Sequence, residues 1–515
     1  MKRFHIFWIM TTLSIAMFLT LCSKKKTDDR ETIFDRVVHL ETELHIDIPD
    51  VFRRCDRLDL QKHRIDVGDC ELYVEEEGKG TPLLLINGGP GGTHHYFHPW
   101  FSRAKEYARV IYYDQRGCGL SDYNPGPDGY SVQQAVADLD AIRKALNVDK
   151  WVVLGYSYGG FLAQYYTINH PENMAGLVLM GASPGMWIEM NPSRQQEFIT
   201  DEERAKKREI RDQLRKLAEE NHWSPEKFME LLVYNNHLNG DWKRQNLYRP
   251  TRDQIAQMAL YEWRHDTNFN GIMSGSMQRV DLTGAFEKCP IPTLILEGRW
   301  DLTWNTDKPK ILHDNHPGAK LVYFEKASHG IYEEEPDQFF KVLKKFIKSL
   351  PEVAPAKMEE YKISLADWDR KKKASPEYIL RTSGWGRRSN EKLAEAYTQE
   401  WFEVFKKPVD FLKIGFALYD VKRYEEALLV FQKMEEIAKQ AEHKEYEALS
   451  LIWQGHMLDL MGKREEAIAQ YGQAADMNIS DTWSHGQYRM QYEVSAYAKK
   501  RMEESFTRIE NQDMD

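Results

Sequence analysis

The chain has 515 residues, is 42% hydrophobic and 12% aromatic, and carries a formal net charge of −10. At about 150 residues per domain, that length makes roughly three units. The apolar share suffices for a buried core, which excludes a disordered chain, a collagen-like fibre and a small disulfide scaffold. An isoelectric point near 6.0 leaves no basic excess to neutralise phosphates, so nucleic acid is excluded as a main partner. A mean hydropathy of −0.63 excludes a polytopic membrane protein, though not a single apolar segment at one end.

Such a segment opens the chain. Lys2 and Arg3 precede an apolar run over residues 4–21, followed by Cys22, Ser23 and three lysines. A basic start, an apolar stretch and an abrupt polar flank predict an export leader over residues 1–22. The same run is long enough to remain as an uncleaved anchor. Leu19-Thr20-Leu21-Cys22 resembles a bacterial lipoprotein box, with Leu21 where a small residue is usual, which implies lipidation of Cys22. Both readings predict an exported, membrane-attached protein with an extension over residues 23–59. The five cysteines, Cys22, Cys55, Cys70, Cys118 and Cys289, fit no zinc spacing such as C-x-x-C. Cys55 and Cys70 are near enough to pair across a short loop; free buried thiols are the other reading.

Residues 60–350 alternate between strand and helix patterns. Residues 64–69 and 71–77 read as a hairpin turned at Gly68-Asp69. Short apolar runs at 82–86, 109–113, 151–154, 175–180, 293–297 and 321–324 read as buried strands, and 132–146 and 161–168 as helices. This pattern predicts an α/β fold with a parallel sheet covered on both faces. Between about 185 and 284 the strands stop, and charged helical segments at 202–221 and 226–235 predict a helical cap inserted over the sheet.

Gly155-Tyr156-Ser157-Tyr158-Gly159 follows the strand WVVL directly and precedes a helix, the setting of a nucleophile elbow. A serine there needs a base and an orienting acid, in the chain order Ser, acid, His. Asp301, after TLILE, and His329, after LVYF, stand just past the carboxyl ends of strands, where open α/β sheets place their sites. Glu297 and Asp307 are rivals for the acid. Oxyanion donors are expected from the backbone of Tyr158 and from the loop at Gly88 and Gly89. A serine at the elbow argues against the Asp-nucleophile chemistry of epoxide hydrolases and dehalogenases, and the triad implies no metal or cofactor.

GGPGG at 88–92, DQRGCGLSD at 114–122, GYSYGG at 155–160, EGRWD at 297–301 and SHG at 328–330 stand in the order and spacing of the proline iminopeptidases. The chain resembles these α/β-hydrolase serine aminopeptidases over roughly residues 60–350. The resemblance implies release of N-terminal residues from short peptides; other amidases and esterases share the group. It also implies cap glutamates that hold the substrate's free amino group. Residues 258–263 look like the family's W-x-x-W-E segment, which points to Glu262. The second glutamate is sought near Ser274-Gly275-Ser276, and Asn87 stands where relatives commonly carry His.

Beyond a linker at 351–356 the pattern turns helical and charged, with residues 351–405 leading into a repeat region at 406–515. Gly415, Leu418, Ala427 and Phe431 recur forty residues on as Gly455, Leu458, Ala467 and Tyr471. These are small and aromatic positions of tetratricopeptide-like repeats, whose usual period is about 34. Residues 483–506 are expected to form a third, capping helix pair. Such repeats take a peptide or protein partner, or pack as a wall on a neighbouring domain.

Overall fold

The structure is a computed structural model. It describes residues 38–123, 129–185, 199–303, 307–383, 387–480, 482–485 and 490–508. The leader over 1–22, with Cys22, lies outside the described residues. Among the described residues no helix is long and apolar enough to cross a membrane. The chain divides into two compact units, one through Lys362 and one from Ile363.

The first unit is built on β1 (Gln61–Asp66), β2 (Glu71–Gly78), β3 (Thr81–Ile86), β4 (Ala108–Tyr113), β5 (Trp151–Tyr156), β6 (Met174–Met180), β7 (Thr293–Gly298) and β8 (Lys320–Phe324). They form one sheet in the order β1-β2-β4-β3-β5-β6-β7-β8. The sheet is mixed rather than parallel. β1 pairs antiparallel with β2, and β2 antiparallel with β4, while β3 to β8 run parallel. The four-residue turn from Asp66 to Glu71 dictates the first of these pairings, because a connection that short can only join antiparallel neighbours. β5 and β7 are buried at every residue, since helices cover both faces there, and so show no polar alternation. Phe339, Leu343 and Ile347 of the helix Pro336–Lys348 pack on Leu83, Val110, Val152 and Leu294 of the sheet.

The cap carries the helices Asp201–Asn221, Pro225–Leu238, Arg252–Gln257 and Phe269–Met277, with a π turn at Met258–Glu262. Thr200 and Glu203 close a reciprocal capping box on the first of these. The described part of the N-terminal extension lies along this cap. Backbone N–H groups of Glu41 and His45 donate to the Asn239 and Asn235 side chains, and Leu44 and Ile48 pack on Ile210, Leu214 and Leu231. Cys55, Cys70 and Cys118 are buried free thiols and Cys289 a partly buried one, so Cys55 and Cys70 do not pair.

In the second unit the helices Pro408–Asp420, Tyr424–Gln440, Lys444–Leu460 and Arg464–Asp476 each pack on the next. The forty-residue repeat has a steric cause. A Cβ on Gly415 would lie 2.5 Å from the Phe431 ring, and one on Gly455 would lie 2.4 Å from the Tyr471 ring. The extra length over 34 lies in two helices of 17 residues each, Tyr424–Gln440 and Lys444–Leu460. The expected helix pair at 483–506 is not formed. Thr482–His485 and Met490–Glu493 pair as antiparallel strands, and a single helix, Val494–Glu503, follows. Thr, Trp and Tyr in those two segments favour strand over helix.

Candidate active site

β5 delivers Ser157 at a sharp turn into the helix Tyr158–Asn169. Its φ of 56° and ψ of −117° lie where only a strongly held non-glycine residue persists, at a cost of about 1–3 kcal/mol. Three hydrogen bonds hold it: Ser157 N–H donates to the Met180 carbonyl at 2.9 Å, and the Ser157 carbonyl accepts from Gly160 and Ser183 N–H at 3.0 Å each. The flanking glycines are required because a Cβ on Gly155 would lie 2.2 Å from the Gly159 carbonyl oxygen, and one on Gly159 2.3 Å from that of Ile86. Ser157 remains 9% exposed.

Asp301 follows β7 and His329 follows β8. His329 Nδ1 lies 2.8 Å from Asp301 Oδ2, and Asp301 Oδ1 accepts from Thr303 N–H at 2.8 Å. Burial opposes the Asp301 charge, yet His329 and Lys308 outweigh it and hold the carboxyl below its ordinary range. Glu297, the rival acid, is instead paired with Lys308 Nζ at 2.6 Å from both its oxygens, and Asp307 precedes the helix Lys308–Asn315. Two glycines tie this pair to the elbow. A Cβ on Gly181, the residue after Met180, would lie 3.0 Å from His329 Nδ1, and one on Gly88 would lie 3.4 Å from Ser157 Cβ. The Tyr156 ring centroid stands 4.9 Å from that of His329.

Tyr158 is the first residue of its helix, so its N–H has no intrahelical acceptor. The Gly88–Gly92 loop is closed by Gly92 N–H on the Gly88 carbonyl at 3.1 Å and by Asn87 Nδ2 on the Gly92 carbonyl at 2.9 Å. Asn87 thereby supports the turn. Gly89 has φ of +125°, which a side chain would resist.

Glu262 is buried, and its carbonyl accepts from Thr93 N–H at 3.1 Å, which fastens the cap to the segment after the Gly88–Gly92 loop. Its carboxylate borders a cavity lined by Arg54, Tyr96, Tyr156, Gly330 and Glu333, among others. Tyr156 and Gly330 are the chain neighbours of Ser157 and His329, so this cavity adjoins Ser157 and His329 without being lined by them. Burial raises the Glu262 carboxyl above its ordinary range, against the pull of Arg54. Burial, and then Glu262, push Glu333 up to about 7.

Glu333 was missed in the sequence, where a second carboxylate was sought in the cap. Near that point Ser276 Oγ instead accepts from Val132 N–H at 3.0 Å. The available signal was the run Glu333-Glu334-Glu335 just after His329. Arg54 was also missed, since nothing in the extension marked it.

Residues 81–336 match the family model described as the alpha/beta hydrolase fold. The chain is 30% identical over 275 residues to a proline iminopeptidase of Saccharolobus solfataricus, covering 53% of this chain and 86% of that one. It is 26% identical over 278 residues to a proline iminopeptidase of Thermoplasma volcanium, covering 53% and 90%. A solved esterase from Exiguobacterium antarcticum aligns with 22% identity and a TM-score of 0.36, covering 56% of this chain and all of that one.

Proposed function

The chain belongs to the α/β-hydrolase family, in its proline iminopeptidase-like group, and from that premise we propose that it is a serine aminopeptidase releasing N-terminal residues from short peptides. Ser157 Oγ attacks the scissile carbonyl. His329 takes its proton through Nε2 and later donates it to the leaving amine, while Asp301 holds Nδ1 and so fixes the tautomer. Backbone N–H groups of Tyr158 and Gly89 take the developing oxyanion. Water then attacks the acyl-enzyme by the same route in reverse.

The observation that carries this reading is the pair of carboxylates, buried Glu262 and partly buried Glu333, on one cavity beside Ser157 and His329. Three carboxylates, Glu262, Glu333 and Glu334, against two guanidiniums, Arg54 and Arg249, leave the cavity lining net negative when all are ionised, which suits a substrate ammonium. A panel of dipeptide amides with free and blocked amino termini, run beside simple esters, tests it. Turnover confined to free amines is expected; equal turnover of blocked amides, or cleavage of esters alone, would overturn it. A second reading, esterase or amidase, is favoured by Arg54 Nη1 at 3.3 Å from Glu262, which offsets the Glu262 charge.

The same reading has the protein exported and attached to a membrane through its N-terminus, by a lipidated Cys22 or an uncleaved anchor. Mass spectrometry of the mature N-terminus tells these apart, and an unprocessed, unlipidated soluble chain would refute both. The forty-residue repeats are read as tetratricopeptide-like, serving a peptide or protein partner.

A further inference from the structure

Three buried residues that the chemistry above does not use come together under the sheet's first strands: Cys55, Glu75 and His94. Their ligand atoms all lie within 4.8 Å of one another. Cys55 sits in the turn Arg54–Arg57 ahead of the sheet, Glu75 in β2, and His94 just after the Gly88–Gly92 loop. Cys55 and Glu75 are fully buried and His94 is 2% exposed.

His94 shows what the cluster is suited to hold. Of its two ring nitrogens, Nδ1 is paired with the Asp114 carboxylate, while Nε2 has no hydrogen bond of normal geometry among the described residues. A buried polar atom left in that condition costs about 1–3 kcal/mol. Its Nε2 faces Glu75 Oε2 at 3.5 Å. Its Nδ1 stands 2.9 Å from Asp114 Oδ2, and Asp114 is itself held by the backbone N–H groups of His94 and Leu120. A carboxylate behind one imidazole nitrogen, with the other nitrogen open, is the arrangement that orients a metal-ligating histidine. Glu75 is supported in the same way: Tyr73 Oη donates to Oε1 at 2.5 Å, and His98 Nε2 lies 3.0 Å from Oε2.

We propose that Cys55 Sγ, His94 Nε2 and the Glu75 carboxylate form a three-residue zinc site, with water as the fourth ligand. A thiolate, an imidazole and a carboxylate are a donor set that zinc accepts. Bond lengths of about 2.0–2.3 Å set neighbouring donors on a tetrahedral zinc ion about 3.3–3.7 Å apart. The 3.5 Å between His94 and Glu75 already meets that spacing, and the widest separation in the cluster closes by about 1 Å. The ion stays divalent, and binding releases the thiol proton and any proton on the ligating nitrogen.

The site would fasten the turn that carries Arg54. Arg54 N–H donates to His95 Nε2 at 2.9 Å, and its Nη1 reaches Glu262. Zinc on Cys55 therefore stabilises the placement of Arg54 beside the cavity, whichever substrate the enzyme takes.

The test uses the full chain, purified without chelators or metal-affinity steps, incubated with zinc, desalted and assayed for metal by elemental mass spectrometry. About one zinc per chain is expected, unchanged in Cys289→Ser and reduced at least about tenfold in Cys55→Ser and His94→Ala. Cobalt loaded in place of zinc into the Cys289→Ser protein should give a thiolate-to-cobalt charge-transfer band. Folded wild-type protein that retains no zinc, or folded Cys55→Ser that retains it fully, would overturn the proposal. Should Cys55→Ser fail to fold, absence of the cobalt band overturns it by itself.

Discussion

Arg54 Nη1 lies 3.3 Å from Glu262 Oε1, so a residue ahead of the sheet supplies the counter-charge to a carboxylate of the cap. The Arg54 side chain is 21% exposed and Glu262 5% exposed. Removing one partner of a fully buried pair costs about 3–5 kcal/mol, and partial exposure of Arg54 reduces this to about 1–3 kcal/mol. Arg54→Met should lower the melting temperature accordingly. By freeing Glu262 it should also lower KM for substrates with a free amine a few-fold and leave KM for blocked substrates unchanged. Steady-state kinetics on the two substrate classes checks this.

Glu333 should make KM sensitive to pH. The groups that act on it are Glu262, Arg54 and Glu334. Glu334 is also pushed up to about 7 by burial, but its oxygens accept from the backbone N–H groups of Ser328 and Leu247, which leaves Glu333 as the carboxylate open to a ligand. Its raised value means that the carboxyl becomes protonated, and loses its charge, as pH falls through about 7. KM for free-amine substrates should therefore rise on the acid side of that value. Glu333→Gln should raise KM about tenfold at pH 8, equivalent to about 1.4 kcal/mol, and flatten the acid limb. An unaltered KM profile in Glu333→Gln would remove this residue from amine recognition.

Asp301 and Glu297 stand four residues apart but should answer to different assays. Asp301→Asn leaves His329 without its orienting acceptor and should lower kcat by about 10⁴-fold with little change in melting temperature. Glu297→Gln removes the partner of a buried Lys308 and should cost about 3–5 kcal/mol of stability. Turnover and thermal unfolding measured on both variants make the comparison. Ser157→Ala should abolish turnover while the fold, followed by circular dichroism, is retained.

Two helical glycines in the second unit should respond with opposite sign. Gly455→Ala drives a Cβ to 2.4 Å from the Tyr471 ring and should destabilise by about 1–3 kcal/mol. Gly472 lies inside the helix Arg464–Asp476, and a Cβ there would meet nothing nearer than Met502 Cε at 3.8 Å. Gly472→Ala should stabilise by about 0.5–1 kcal/mol through helix propensity. Chemical denaturation of the two variants tests both.

Much of the fold was legible because local chemistry decided it. The short, mostly apolar runs of β3 to β7 read as buried strands, and the helix after Ser157 followed from the glycines around it. The errors lay where pattern is indifferent to partner. The hairpin of β1 and β2 was readable from its turn, but the apolar runs said nothing of strand direction, so the antiparallel pairing of β2 with β4 came as a correction. Segment 482–493 was too short for periodicity to separate a strand pair from a helix.

The residues bearing on function divide the same way. The primary sequence by itself determined Ser157, Asp301 and His329 as candidates, because a strand end followed by a constrained turn can be read from adjacent residues. Only the tertiary structure set Glu333 beside Glu262, brought Arg54 onto that carboxylate, and gathered Cys55, Glu75 and His94 into one buried cluster. Those residues stand on separate elements, in the extension, β2, the segment after the Gly88–Gly92 loop, the cap and the segment after β8. No spacing along a chain encodes such a meeting; the packing of a cap and an extension over a sheet creates it, and burial then makes their charges matter.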